Sequence, residues 1–392
     1  MIPGVSTPDP TTRLTLADVL ADPHGRSVET LPFVPDILGD GFTCTTVDLG
    51  PDPDGETPVV STLVRYRPEG VTDAEWAARP AVIFVHGMTD YFFQRHVAEH
   101  LHARGRAVYA VDLRKCGRSW RRGQTWHHVS AQGMYDEDLS IAVATVSATH
   151  GPVVLVGHST GGLDVTMFVS RLHAGDAPRR RLHGLIRAVV LNSPWLDLQF
   201  GAPTNAVIRH VLPLVAAVAP DATIPGGVNP VYGRTLHVSE AGEWDYDLRL
   251  KPLVARPKKV SWLTGVARDI ATLQAGGGGT GLPTLLLCSR THHFSPRLDE
   301  RSFSADLILR PSQMRAAAHL VDPDTEVATI DGAMHDVFLS RAPVRRDALR
   351  ILDDFLDREA PAGHAAADRP GDPAADHPGS TTDHPADPPG RG

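Results

Sequence analysis

The sequence predicts an α/β fold: a mostly parallel central sheet, helices on both of its faces, and a helical cap inserted after the sixth strand. Three observations carry this. Short β-branched runs alternate with longer helical patterns from Ala81 onward. The runs are continuously apolar, as strands buried on both faces require. The rhythm breaks after the sixth run and resumes near residue 282.

The expected strands are Phe42–Leu49, Val59–Tyr66, Ala81–Val85, Arg106–Val111, Val153–Val156, Ala188–Leu191, Thr284–Cys288 and Glu326–Ile330. A turn-rich Pro51-Asp52-Pro53-Asp54-Gly55 separates the first two. Helical patterns lie near Leu14–Leu20, Tyr91–Arg104, Met134–His150, Gly162–His173, Pro311–Leu320 and Val344–Leu356. The last carries Leu349, Leu352, Phe355 and Leu356 on one face. Between Pro194 and Gly281 no clear strand is expected, only helical stretches and many prolines.

This divides the chain into an irregular arm (1–40), a first part of the core (41–193), a cap (194–281), a second part of the core (282–358) and a tail (359–392). The tail is rich in Asp, Pro, Ala, Gly and His, with Asp-His-Pro twice. Such a composition cannot offset its ordering entropy by burying apolar area, so disorder is expected there.

The 392 residues carry a formal charge of −8 and no basic stripe, which speaks against a nucleic-acid partner. Cys44, Cys116 and Cys288 are odd in number and far apart, so neither a disulfide framework nor a zinc site is expected. The N-terminus lacks a basic region followed by an apolar one, and the longest apolar stretch, Val211–Ala219, contains Pro213. No signal peptide and no membrane span are therefore expected, and the cytoplasm is the expected location. The sequence carries no signal for an oligomeric state.

The most informative segment is Val153-Val154-Leu155-Val156-Gly157-His158-Ser159-Thr160-Gly161-Gly162. An apolar strand runs into G-x-S-x-G, and a helix-compatible sequence follows. So sharp a turn strains the serine backbone, excludes larger residues at Gly157 and Gly161, and lifts the Ser159 hydroxyl above the sheet edge. It also aims the Thr160 N–H, at a helix N-terminus, toward a developing oxyanion. A phosphate-binding turn would want G-x-G-x-x-G or a following lysine, and neither is present.

Four segments in this order resemble the α/β-hydrolase superfamily, within it the branch of monoacylglycerol lipases, lysophospholipases and serine aminopeptidases. His86-Gly87 closes a strand like the oxyanion loop of that family. Asp112-Leu113-Arg114-Lys115-Cys116-Gly117-Arg118-Ser119 resembles its D-x-R-G-x-G-x-S loop, with Lys115 in place of a usual glycine. Gly157–Gly161 is the elbow, and Gly332-Ala333-Met334-His335-Asp336 resembles the histidine loop.

The resemblance covers about residues 40–357 and implies a serine nucleophile, Ser159, with His335 as its base and the Met88 N–H as second oxyanion donor. It places the triad acid beyond Thr284–Cys288, where Asp306, 29 residues before His335, is preferred. Asp197 is the next candidate, followed by Asp299, Glu300 and Asp336. Tyr91, Trp195 and Phe200 are expected to contact substrate from their positions at strand ends. His86 is expected to be a structural hydrogen-bonder.

The expected activity is hydrolysis of a small-molecule acyl ester, lipase-, lysophospholipase- or esterase-like, with no metal and no organic cofactor. Thioesterase, acyltransferase and peptidase chemistry use the same triad, and fold alone does not name the acyl acceptor. A non-catalytic binding protein of this fold is the alternative from another class. Epoxide- or halide-type hydrolases would need an aspartate where Ser159 stands.

Overall fold

Runs of valine, isoleucine and leucine that read as strands form the sheet, and most are buried along their whole length. The computed structural model describes residues 12–224 and 229–362. Its long strands are β1 (Phe42–Gly50), β2 (Val59–Tyr66), β3 (Ala81–Val85), β4 (Ala107–Asp112), β5 (Val153–His158), β6 (Ile186–Asn192), β7 (Thr284–Ser289) and β8 (Glu326–Ile330). Their order across the sheet is β1-β2-β4-β3-β5-β6-β7-β8. β1 pairs with β2 and β2 with β4 in antiparallel fashion; every later neighbour is parallel.

Alternation along each strand feeds two cores. Ile83, Val85 and Leu155 face one; Val82, Phe84, Val154 and Val156 face the other. The first core is closed by α2 (Tyr135–His150), α3 (Thr160–His173) and α5 (Pro311–Val321). The second is closed by α1 (Arg95–Ala103) and α6 (Ala342–Glu359), whose Leu349, Leu352, Phe355 and Leu356 are all buried. The sheet is thus covered on both faces, as the apolar runs demand.

Residues 12–40 pack on this body. Thr12–Arg13 adds to β1 in parallel and Val34–Pro35 pairs with it antiparallel. Leu14, Val19, Val28 and Leu31 enter the first core. The start of the arm and the tail from residue 363 lie outside the described residues.

Several elements depart from the sequence expectation. α1 starts at Arg95, not near Tyr91, because the Phe92 N–H bonds the Asp112 carboxylate and residues 91–93 are buried in an irregular turn. A short helix, Ala177–His183, was not expected; the Asp176 side chain caps it by accepting from the Arg179 N–H. The insertion after β6 is helical, as expected, with α4 (Val260–Thr272) its longest helix, but it also holds one antiparallel two-residue pair, Thr223–Ile224 with Lys258–Lys259. Its first helix widens into a π turn at Val207–Val211 just before Pro213, which has no N–H to donate to the previous turn.

Candidate active site

The turn between β5 and α3 sits at the centre of the sheet. Ser159 occupies it with φ 54° and ψ −117°, a conformation unfavourable for any side chain but glycine. Its neighbours show why the turn holds. A Cβ on Gly161 would lie 2.3 Å from the His86 carbonyl oxygen, and one on Gly157 would lie 2.6 Å from that of Gly161. Only glycines allow the helix to approach so closely.

The structure brings Ser159, His335 and Asp306 into one hydrogen-bonded line. His335 Nε2 lies 2.9 Å from Ser159 Oγ, and His335 Nδ1 lies 2.8 Å from Asp306 Oδ2. His335 sits in the loop after β8, beyond Gly332, whose φ of +72° turns the chain back toward the elbow. Asp306 is fully buried in the long connection after β7. Its second oxygen, Oδ1, accepts the Ile308 and Leu309 N–H groups at 2.7 and 2.8 Å. The carboxylate is therefore fixed from one side and free to accept only from His335 on the other.

The other carboxylates considered are engaged elsewhere. Asp197 accepts from Gln274 and Gln313 at 2.7 and 2.8 Å. Asp299 caps the short helix Glu300–Phe303 and bonds His293, and Glu300 pairs with Arg341. Asp336 accepts from Asn192 and Gln94. Burial works to raise its pKa, but the neighbouring His158 and these two hydrogen bonds hold it below the usual range.

Gly87, Met88 and Thr160 surround Ser159 on the opposite side from β8. A Cβ on Gly87 would come within 3.0 Å of Ser159 Cβ, so the loop after β3 presses directly on the serine. Thr160 opens α3, where a backbone N–H has no acceptor inside the helix. Two histidines brace the loop. His86 Nε2 accepts the Leu113 N–H at 3.1 Å, so its Nδ1 donates to the Gly87 carbonyl at 2.8 Å. His127 Nδ1 accepts the Thr89 N–H at 3.1 Å, and burial keeps this imidazole neutral. Nothing in the local sequence assigned His127 this place against the loop after β3.

Lys115, where the D-x-R-G-x-G-x-S loop usually has glycine, adopts φ 60° and is buried. Its ammonium meets Asp52 at 2.5 Å and Glu56 at 3.1 Å, tying the loop to the turn between β1 and β2. Arg118, in the same loop, is held by Asp112 and by Asp36 of the N-terminal arm. Thr89, Lys115, His127, Ser159 and Ser193 all have positive φ. Backbone strain thus gathers around the serine.

A cavity of about 790 Å³ opens over Ser159 and His335. Its lining is mainly apolar and includes Met88, Thr160, Trp195, Phe200, Ile208, Leu212 and Trp262. Trp195 and Phe200 thus lie on the cavity wall. Tyr91 does not. It is buried outside the cavity lining, with its hydroxyl accepting the Asp247 N–H at 2.8 Å and the Arg118 guanidinium over its ring. Position beside the oxyanion loop suggested a wall, but the Phe92 anchor turns the ring inward. Within the insertion's first helix, Ile208 and Leu212 face the cavity, whereas Val207, Val211, Leu214 and Val218 are exposed.

The sheet order and the strand–serine turn–helix at its centre define an α/β-hydrolase. The chain belongs to the S33 serine aminopeptidase family, whose model matches residues 77–341, about two thirds of its length. Among solved structures it is similar to the monoacylglycerol lipase of Paleococcus ferrophilus, at 19% identity and TM-score 0.53 over 72% of this chain and 96% of that one. A soluble variant of Saccharomyces cerevisiae monoglyceride lipase, in complex with a substrate analogue, shares 15% identity at TM-score 0.55, over 84% of this chain and 96% of the other. A thermostable carboxyl esterase of Bacillus coagulans, in complex with glycerol, shares 13% identity at TM-score 0.55, over 82% and 99%. At these identities the likeness is one of fold. No curated protein sequence matches the chain. Among the described residues no helix is long and apolar enough to cross a membrane.

Proposed function

We propose that this protein is a serine hydrolase that cleaves carboxylic acyl esters through a Ser159–His335–Asp306 triad. The observation that carries the reading is the hydrogen-bonded line from Ser159 Oγ through His335 to Asp306, at the floor of an apolar cavity. A serine hydroxyl is a poor nucleophile near neutral pH unless a base takes its proton. His335 Nε2 is that base at 2.9 Å. Asp306 accepts from Nδ1–H, which leaves the Nε2 lone pair facing the serine and stabilises the imidazolium when it forms.

Attack on the ester carbonyl gives a tetrahedral oxyanion, which the N–H groups of Met88 and Thr160 receive; loss of one such donor typically costs about 3 kcal/mol. His335 then gives its proton to the leaving alcohol. Water, deprotonated by the same nitrogen, releases the acid from the acyl-enzyme. The cycle is complete with these side chains.

Residues 194–281 act as a cap that supplies walls for the acyl or alcohol group, with Trp195 and Phe200 among them. The family description favours a second reading, aminopeptidase chemistry. A peptidase of that kind holds a substrate ammonium with carboxylates, and the single carboxylate that lines this cavity among the described residues, Asp90, is already paired with Lys251 at 2.6 Å. That favours esters. Three cysteines, unpaired and buried, support a reducing compartment such as the cytoplasm.

The test is covalent labelling by a fluorophosphonate, with peptide mapping, on wild type and Ser159→Ala. Labelling at Ser159 that disappears in the variant is expected, followed by turnover of a 4-nitrophenyl ester series. A folded wild type that takes no label would overturn the catalytic reading in favour of a binding protein.

A further inference from the structure

The charges around the cavity do not balance. Among the described residues three cations, Lys251, Lys258 and Arg310, line it together with one carboxylate, Asp90. Asp90 is committed to Lys251. Lys258 lies on the short strand Lys258–Lys259 of the insertion and is only 8% exposed. Among the described residues no acidic side chain reaches it; its charged and titratable neighbours are Arg256, His127, which burial keeps neutral, and the thiol of Cys116. Burial pushes that thiol's pKa up, so it stays uncharged.

The Lys258 ammonium stands 5.5 Å from the Trp262 ring centroid, a contact that orients a cation but does not neutralise it. Burial, reinforced by Arg256, draws its pKa down to about 8. Among the described residues Arg310 is likewise free of carboxylates: it meets His292 Nε2 at 3.2 Å, the Gln199 carbonyl at 3.2 Å and the Phe294 ring at 5.0 Å.

An unpaired ammonium in an apolar wall is costly to the fold. Apolar packing would be served better by leucine or methionine at the same place. A ligand that brings the missing negative charge makes sense of it. We propose that the ester substrate carries a fixed anionic group, a carboxylate or a phosphate, and that Lys258 is the residue that binds it, with Arg310 as the second cation. This rests on the hydrolase reading above and narrows its substrate class. It also sets the pocket against a substrate with a free ammonium, which Lys258 would repel.

Two substrate pairs test it, each with a charged member and a neutral one of matched size. The first is the mono-4-nitrophenyl ester of glutaric acid against its methyl ester, with charge on the acyl side. The second is 1-oleoyl glycerol 3-phosphate against 1-oleoyl glycerol, with charge on the alcohol side. Wild type is expected to favour the charged member of at least one pair by about tenfold or more in kcat/KM. That charged-to-neutral ratio is expected to fall about tenfold in both Lys258→Met and Lys258→Gln, and the responding pair tells carboxylate from phosphate.

Equal kcat/KM for charged and neutral members in both pairs would overturn the proposal from wild type alone. So would a preference that survives in both variants. Fluorophosphonate labelling separates the two levels: a labelled enzyme with no charge preference refutes only the anionic substrate. An unlabelled, inactive one refutes the hydrolase reading itself.

Discussion

Replacing Asp306 with asparagine tests the proposed triad at its least sequence-evident member. Asp306 uses Oδ1 to accept two backbone N–H groups, from Ile308 and Leu309, and Oδ2 to accept from His335. Asparagine has one oxygen. If its NH2 faced the two backbone donors, two buried N–H groups would lose their acceptor, at about 1–3 kcal/mol each. The oxygen therefore stays with Ile308 and Leu309, and the NH2 turns to His335. A donor at that place demands a lone pair on Nδ1 and shifts the imidazole proton to Nε2. The proton then points at Ser159 Oγ, 2.9 Å away, where the base should be. A triad forced into the wrong tautomer loses about 10⁴ in kcat, equivalent to about 5 kcal/mol of barrier. The assay is steady-state hydrolysis of 4-nitrophenyl butyrate, with thermal melting to show that the near-isosteric variant keeps its fold. A loss smaller than about tenfold in a folded protein would refute this chain of reasoning and return Asp197 to consideration.

In the proposed cycle His127 positions the oxyanion loop through the Thr89 N–H that it accepts at 3.1 Å. Replacing it with leucine is expected to lower kcat about tenfold with little change in KM, since a loosened donor is felt mainly in the transition state; steady-state kinetics check it, and a rise in KM alone would contradict it. His150 makes the fold sensitive to acid. Burial, which outweighs its bond to the Arg79 carbonyl, draws its pKa to about 4 from an ordinary 6.5. The folded state then binds fewer protons than the unfolded one, so its contribution is intact above pH 6.5 and is lost as pH falls toward 4, by about 3 kcal/mol in all. Thermal melts from pH 7 to 4 are expected to show a shallower decline in His150→Gln than in wild type, and identical slopes would count against it.

The central strands were legible because they are buried on both faces, so the apolar runs of β3, β5 and β7 are nearly continuous. β3 and β7 were located to within a residue for that reason. The helix before β4 was drawn too long because Tyr91, Phe92 and Phe93 fit a helical pattern; what ends the helix is the Asp112 carboxylate holding the Phe92 N–H, and the two lie 20 residues apart. The two-residue strands of the insertion had no chance of detection. Their pairing is set by tertiary approach, and Lys258–Lys259 has no β-forming signal of its own.

The candidate site divides along the same line. Ser159 and His335 announce themselves locally, through glycines that a tight turn needs. Asp306 has no such motif, and its buried seat is defined by two N–H groups that follow it, a detail of loop geometry. His127 and Lys258 were out of reach for a different reason. Each matters through what stands opposite it: a strained loop for one, and an absence of carboxylates for the other. A lysine in a charged stretch such as Arg256-Pro257-Lys258-Lys259 reads as solvated surface. Folding the insertion over the sheet turns one of these side chains into the cavity wall, next to Trp262, while its neighbour Lys259 finds Asp221 at 2.8 Å. Since Lys259 is paired and Lys258 is not, general surface charge does not explain the residue in the wall. Its position calls for an anion that arrives with the ligand.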